Sequence, residues 1–364
     1  MRIAYILLTI IHGLIHLLGF LKAFGLSDVK QLTLPVSKQF GMIWLFVFLF
    51  CAIAAIMFAF NYRYWWAFGF IASLSSQILI IFFWQDAKFG TFANVIILIA
   101  SIIGFSTWKY YNQYQNDVKV SLKKIDYSQN SELTEIDIQH LPDPVKRYLH
   151  YTGSVGKPKV KNFKIVFAGK IRKDEKLEWM PFTSEQYNFL ETPSRLFFMK
   201  AEMKGLPVAG YHSFINGDAF MDIRLFSIFR VQYQDGVEMD LSETVTFFND
   251  MCCMAPATLI DKRIKWLEIE NNRVRASFTN NNISVSAWLD FNEKGELINF
   301  ISEDRYSADA GKQLRWSTPL KDYQEINGYK LSGNAETIYS YPDRDLTYGI
   351  FKISSIEYNT RDLD

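Results

Sequence analysis

Four runs of 18 to 21 residues, none holding an Asp, Glu, Lys or Arg, crowd the first 108 positions of this 364-residue chain. They are Ile3 to Phe20, Phe40 to Phe60, Trp65 to Trp84 and Thr91 to Trp108. A helix needs roughly 20 apolar residues to cross the ~30 Å hydrocarbon layer of a bilayer. A buried core helix of a soluble protein rarely runs so long without a polar face, and these runs have none. Four transmembrane helices are therefore expected. Trp44, Trp65, Trp66, Trp84 and Trp108 lie at or near the run ends, where an indole is expected at the lipid–water boundary. The first run has no small-x-small site before Lys22, so it reads as an uncleaved span rather than a signal peptide.

Charge separates the chain into two solvents. Residues 1 to 108 carry six basic and two acidic side chains; the remainder carries 33 basic and 36 acidic. The total of +1, with a pI near 7.6, excludes a nucleic-acid partner, which requires a basic face. Three cysteines, Cys51, Cys252 and Cys253, are too few for a disulfide framework and read as buried thiols. Helical spans point to a bacterial cytoplasmic membrane, since outer membranes use barrels. Lys and Arg close to the spans are about equal on the two sides, so the side occupied by the C-terminal part stays open.

Residues 109–135 lack periodicity and read as a linker, with Tyr110, Tyr111 and Tyr114 at headgroup level. A helix is expected over Asp143 to Tyr151, capped by Asp143, with Pro144 in its first turn and Gly153 and Gly156 beyond its end. From Lys159 the period becomes two. Phe163, Ile165 and Phe167 share one face; Phe197, Met199, Ala201 and Met203 alternate with charged residues; Ile283 to Phe291 alternates similarly. Turn signals at Asn216-Gly217, Asn271-Asn272, Asn292 to Gly295 and Asn327-Gly328 separate the strands. Ten or eleven strands to Tyr358 imply an antiparallel meander, closed or strongly curved. One helix interrupts it between Asp240 and Asp261. Leu241, Val245, Phe248 and Cys252 recur at helical spacing, Asp240 and Glu243 have the form of a capping box, and Pro256 ends the helix near Met254.

The run Leu141-Pro142-Asp143-Pro144-Val145-Lys146-Arg147-Tyr148, the segment Met254 to Leu259, and the Asp290-Phe291 to Gly295 and Asp304-Arg305-Tyr306 stretches carry a resemblance. The chain is similar to a bacterial family that joins a few membrane helices to a domain like the periplasmic lipoprotein carriers LolA and LolB. The resemblance covers most of residues 135–360. It implies an incomplete barrel of about eleven strands whose helices cover an apolar cavity for acyl chains. Unlike a soluble carrier, this chain is tethered, which argues against shuttling between two membranes.

No G-x-S-x-G, H-E-x-x-H or P-loop sequence is present. Glu303, Asp304 and Arg305 cluster on an alternating strand and read as a solvated strand end. His12 and His16 lie four apart on one face of the first span. No other span holds a histidine, so a metal or haem lacks its further ligands. Hydrogen bonding to Gln77, Ser73 or Ser76 is expected instead. No metal or cofactor is expected. Phe247, Phe248, Met251 and Met254 give the inserted helix an adaptable apolar side, the weak candidate for a ligand-binding surface.

The architecture expected is thus a four-helix transmembrane domain over 1–108, a linker over 109–135, and an open-barrel, mainly antiparallel β domain with an inserted helix over 136–364. Its partners would be the bilayer and a lipid or other apolar ligand, and it would work without covalent chemistry. An envelope enzyme on a lipid-linked substrate and an assembly subunit are the alternatives. Protein partners are not indicated.

Overall fold

Apolar runs account for the long helices up to Trp108 in the computed structural model, which describes residues 2–128 and 131–363. The helices are α1 (Arg2–Ala23), α2 (Lys38–Ala59), α3 (Trp65–Phe82), a single turn α4 (Trp84–Ala87) and α5 (Gly90–Leu122). All but α4 are long and apolar enough to cross a membrane. By internal contacts the chain divides into two compact units, Met1–Tyr111 and Asn112–Asp364.

In the first unit α1 packs along α2, and small residues set the spacing. A methyl at Gly19 would lie 2.2 Å from the Trp44 ring, so only a glycine admits that indole. Trp44 is therefore buried against α1, beside His16, and does not sit at a lipid–water boundary as its place near a run end suggested.

The segment expected to be irregular beyond Trp108 continues α5 as far as Leu122. Tyr110, Tyr114, Val118 and Leu122 recur at every fourth residue and are all buried. Within the second unit, Tyr114 packs on Phe198 and Tyr211, with ring centroids 5.5 and 5.6 Å away. Tyr211 Oη donates to Asp117 Oδ2 at 2.7 Å. Polar neighbours had masked this stripe.

A short turn α6 (Glu135–Ile138) carries a reciprocal Thr134–Asp137 capping box. It precedes α7 (Asp143–Tyr151). Pro142, not Asp143, occupies the cap of α7; Asp143 is in the first turn and pairs with Lys146 at 2.7 Å. Gly153, at φ 68°, turns the chain out of the helix.

The first meander is β1 (Asn162–Ile171), β2 (Met180–Phe189), β3 (Ser194–Met203), β4 (Leu206–Ile215), β5 (Asp218–Leu225) and β6 (Phe229–Asp235). Helix α8 (Val237–Met254) follows. The second meander is β7 (Ile264–Glu270), β8 (Arg273–Asn280), β9 (Ile283–Phe291), β10 (Leu297–Ser307), β11 (Lys312–Ile326), β12 (Tyr329–Ser340) and β13 (Asp345–Tyr358). Pairing of β1 with β13 fuses the two into one antiparallel sheet of 13 strands with β6 and β7 at its edges. The count exceeds the ten or eleven expected. β6 is almost wholly exposed and β7 nearly so, and neither shows the alternation that marks a half-buried strand. Hairpins turn at Asn216-Gly217 and Asn327-Gly328, where both residues have positive φ.

Helix α8 joins the two sheet edges and touches β4, β5 and β6 as well as β9, β10 and β12. β4 to β6 form one end of the sheet order, and β9, β10 and β12 lie in its other half. One helix reaches both only if the sheet curls around it. The helix starts a turn earlier than expected, with Gly236 at the cap, and has no capping box. Asp240 instead accepts from the Ala219 amide at 2.7 Å. α8 ends at Met254, ahead of Pro256. Tyr148 donates to the carbonyl of Cys252 at 2.9 Å and Tyr358 to that of Met254, so side chains satisfy carbonyls the last turn leaves open.

Candidate functional site

Helix α8 is buried on nearly all sides, so its two long faces bury against different things. Val245, Phe247, Phe248, Met251 and Cys252 enter the core. Phe248 stacks on Phe278 with centroids 5.6 Å apart and meets Phe300 edge-on at 5.5 Å; Phe247 lies 5.8 Å from Phe214 and from Phe278. The opposite stripe, Met239, Ser242, Glu243, Thr246, Asn249, Asp250 and Cys253, recurs at three- to four-residue spacing and lines a cavity. Of the four residues singled out on this helix, Met254 reaches that cavity; Phe247, Phe248 and Met251 are core.

The cavity lies between α8 and the inner face of the sheet, has a volume of about 1310 Å³ and is partly open. That exceeds the roughly 300–1,000 Å³ of most small-molecule sites. Phe167, Phe197, Met199, Trp316, Leu320 and Phe351 form apolar walls. Leu177, Met203 and Val231, all exposed, continue the apolar lining.

Its floor is charged. Gln186 and Asn188 of β2 and Arg195 of β3 meet α8, and the two-residue spacing together with the pairing of Asn188 with Arg195 puts them on one face. Arg195 donates from Nη1 to Glu243 Oε2 at 3.0 Å, from Nε to Asp250 Oδ2 at 2.9 Å and from Nη2 to Gln186 Oε1 at 2.8 Å. Asp250 Oδ2 also accepts from Gln186 Nε2 at 2.8 Å and Asn188 Nδ2 at 3.0 Å. Burial pushes the Asp250 carboxyl up, against the pull of Arg195. Three donors converge on Oδ2, and the Arg195 guanidinium among them favours the ionised carboxylate. Burial would also raise Glu243, but the Arg195 guanidinium, His212 and Arg305 outweigh it and hold the carboxyl at about 2. Burial lowers His212 below its usual value, and the Glu243 carboxylate, with Oε1 3.8 Å from Nδ1, pulls the other way.

Arg305 stands apart from that cluster. A bulge between Ser302 and Arg305 breaks the alternation of β10. Asp304 caps the Ser286 amide at 2.6 Å, whereas Arg305 lines the cavity. The cluster read as a solvated strand end is thus split by the bulge. Arg305 Nε donates to Tyr339 Oη at 3.0 Å, and Nη1 donates to the Ser242 carbonyl at 2.9 Å and to Thr246 Oγ1. The guanidinium lies 4.7 Å from the centre of the Trp316 ring. The sequence marked Arg305 only as part of a solvated strand end, because a bulge changes which face a side chain takes.

The polar residues of the first unit form a separate network. His12 Nε2 lies 2.8 Å from Asn94 Oδ1 and 3.1 Å from Ser76 Oγ, and His16 Nε2 lies 2.9 Å from the same hydroxyl. Asn94 Nδ2 donates to Gln77 Oε1 at 3.0 Å, and Gln77 Nε2 donates to Thr91 Oγ1 at 3.2 Å. Asn94, which the sequence did not single out, thus joins His12 to Gln77. Among the described residues no group of three or more His, Cys, Asp or Glu side chains is placed to hold a metal.

The solved structures to which the chain is similar include a LolA superfamily protein from Nitrosomonas europaea. It is 11% identical, with a TM-score of 0.33 over 60% of this chain and 94% of that one. A DUF1329 family protein from Desulfovibrio piger is 9% identical, with a TM-score of 0.33 over 63% of this chain and 94% of its own. A β-barrel-like DUF1849 protein from Brucella abortus is 6% identical, with a TM-score of 0.24 over 56% and 99%. No curated protein matches. Residues 131–351, which include every β-domain residue of the cavity floor and walls named above, match the family of unknown function DUF6544, and the chain belongs to that family.

Proposed function

We propose that the chain is a membrane-anchored, non-catalytic binding module that encloses a lipid or other apolar chain between α8 and its curled sheet, in a bacterial cytoplasmic membrane. The cavity of about 1310 Å³ with aromatic and aliphatic walls carries this reading. Transfer of apolar surface from water into such a site releases about 25 cal/mol per Å², so one acyl chain is held without any covalent step. The four apolar helices keep the module where such chains are concentrated.

The test is photolabelling of the full-length chain in lipid nanodiscs with a diazirine-bearing acyl chain, with labelled peptides mapped by mass spectrometry. Label on β3, β11 and β13 that disappears in Met199→Trp, which fills the cavity, supports the reading. Label confined to α1, α2, α3 and α5 overturns it.

A second reading, acid–base chemistry on a lipid-linked substrate, is favoured by one observation: His212, Glu243 and Asp250 converge on the cavity floor. Both carboxylates are bonded to Arg195. Turnover of a fluorescent acyl ester by the wild type but not by His212→Gln would establish it.

A further inference from the structure

Arg195 and Arg305 both line the cavity, yet only one of them is neutralised by contact. Arg195 lies between two carboxylates. Every hydrogen-bond partner of Arg305 is neutral: a phenol, a backbone carbonyl and a threonine hydroxyl. Among the described residues no carboxylate lies within ion-pair distance of it, and Nη2 donates to no protein acceptor. Glu243 acts on Arg305 only at longer range and is committed to Arg195. The Trp316 ring covers the guanidinium.

A guanidinium that lines a partly open cavity, with no carboxylate in contact and one nitrogen unused, is a ready site for an anion. Its three anchors fix the plane and leave Nη2 as the donor on offer. The rigid fork suits an oxyanion better than an ammonium would. The walls that continue from it, Trp316, Leu320 and Phe351, are apolar.

We infer that the cavity takes an amphiphile with an oxyanion head, a carboxylate or a phosphate on an acyl chain, and that Arg305 binds the head while the chain lies along the apolar walls. This rests on the binding-module reading and names its ligand class. Arg195 does not compete for the head, because its Nε and both Nη atoms are already bonded.

The experiment uses the full-length chain in nanodiscs of neutral lipid and three photoactivatable probes, each with its diazirine next to the head. The probes are a fatty acid, its methyl ester, and a lysophosphatidic acid. Expected is labelling by the acid, the phosphate or both at least about tenfold above the ester, the factor one charge-assisted hydrogen bond carries. The labelled peptides should be those of β10 to β12 beside Arg305. Arg305→Gln should remove the preference, so that acid and phosphate label no more than the ester does in the same variant. Preference for the acid alone or the phosphate alone identifies the head. Equal labelling by ester and anions overturns the inference while leaving the binding module intact. Labelling of the cavity by none of the three overturns the binding module itself. If Arg305→Gln misfolds, the wild-type acid-to-ester ratio and the position of the label still decide. Anion label away from Arg305 refutes the assignment.

Discussion

Arg195 Nε donates to Asp250 Oδ2 across 2.9 Å, tying β3 to α8 through a pair of side chains that are both almost completely buried. The carboxylate would be an uncompensated charge without the guanidinium. Arg195→Met should therefore cost about 3–5 kcal/mol, the usual cost of breaking a buried ion pair from one side. Thermal unfolding of the full-length chain in detergent, followed by near-ultraviolet circular dichroism, measures it. The double variant Arg195→Met/Asp250→Leu should recover part of the loss, because it removes the stranded charge. No recovery would mean that the pair does not carry the α8–β3 contact.

Glu243 gives the pH dependence. Its carboxyl, ordinarily near 4.5, is held at about 2 in the folded chain. A depressed carboxylate contributes stability that is present above its unfolded value and is lost as pH falls through its folded value. The difference in melting temperature between wild type and Glu243→Gln should therefore be constant near neutral pH. It should shrink as pH falls from about 4.5 toward about 2. A gap that stays constant over that window would show that the carboxylate is not held down by Arg195.

Phe248 tests which face of α8 is core. Its side chain is fully buried between Phe278 and Phe300. Phe248→Ala should cost about 3–5 kcal/mol, the range for deleting a buried aromatic ring. Phe248→Asp adds an unpaired buried charge and should unfold the β domain. A folded Phe248→Asp variant, shown by retained near-ultraviolet signal and protease resistance, would place this residue on the ligand side instead.

The strands were legible wherever one face was buried and the other wet. β9 shows the two-residue alternation directly, whereas the first six residues of β3 are buried on both faces although its sequence alternates from Phe197 to Met203; the Asn-Gly pairs sit where the chain takes positive φ. The end of α8 at Met254 followed from Pro256. The exposed edge β6 was not legible, because an edge strand without a buried face has no pattern. The cavity was hidden for a related reason. Glu243, Asp250 and Arg195 occupy inward positions, and a charge at an inward position breaks the pattern that reveals the inward face. Arg305 needed the bulge at Ser302, a register shift that leaves no local mark in composition. On α8 the apolar stripe was found, but it is the core stripe, and the polar one beside it faces the cavity.

Asn94 offers the test of the helical unit. Its carbonyl oxygen lies 2.8 Å from His12 Nε2 and its amide donates to Gln77 Oε1 at 3.0 Å, so one side chain serves α1 and α3. The acceptor character of Oδ1 places a proton on His12 Nε2, and Ser76 Oγ can then donate to His16 Nε2 at 2.9 Å. Interhelical hydrogen bonds between membrane helices average about 0.6 kcal/mol, with a maximum near 1.7. Asn94→Leu removes two such bonds and strands both partners in an apolar setting, so about 1–3 kcal/mol is expected. Asn94→Gln, which keeps both functions on a longer stem, should recover some of it. The readout is the loss of helical circular dichroism on heating in detergent, or unfolding of the reconstituted chain by added sodium dodecyl sulfate. A Leu variant as stable as wild type would mean that lipid or water satisfies His12 and Gln77, and that the network does not join α1, α3 and α5.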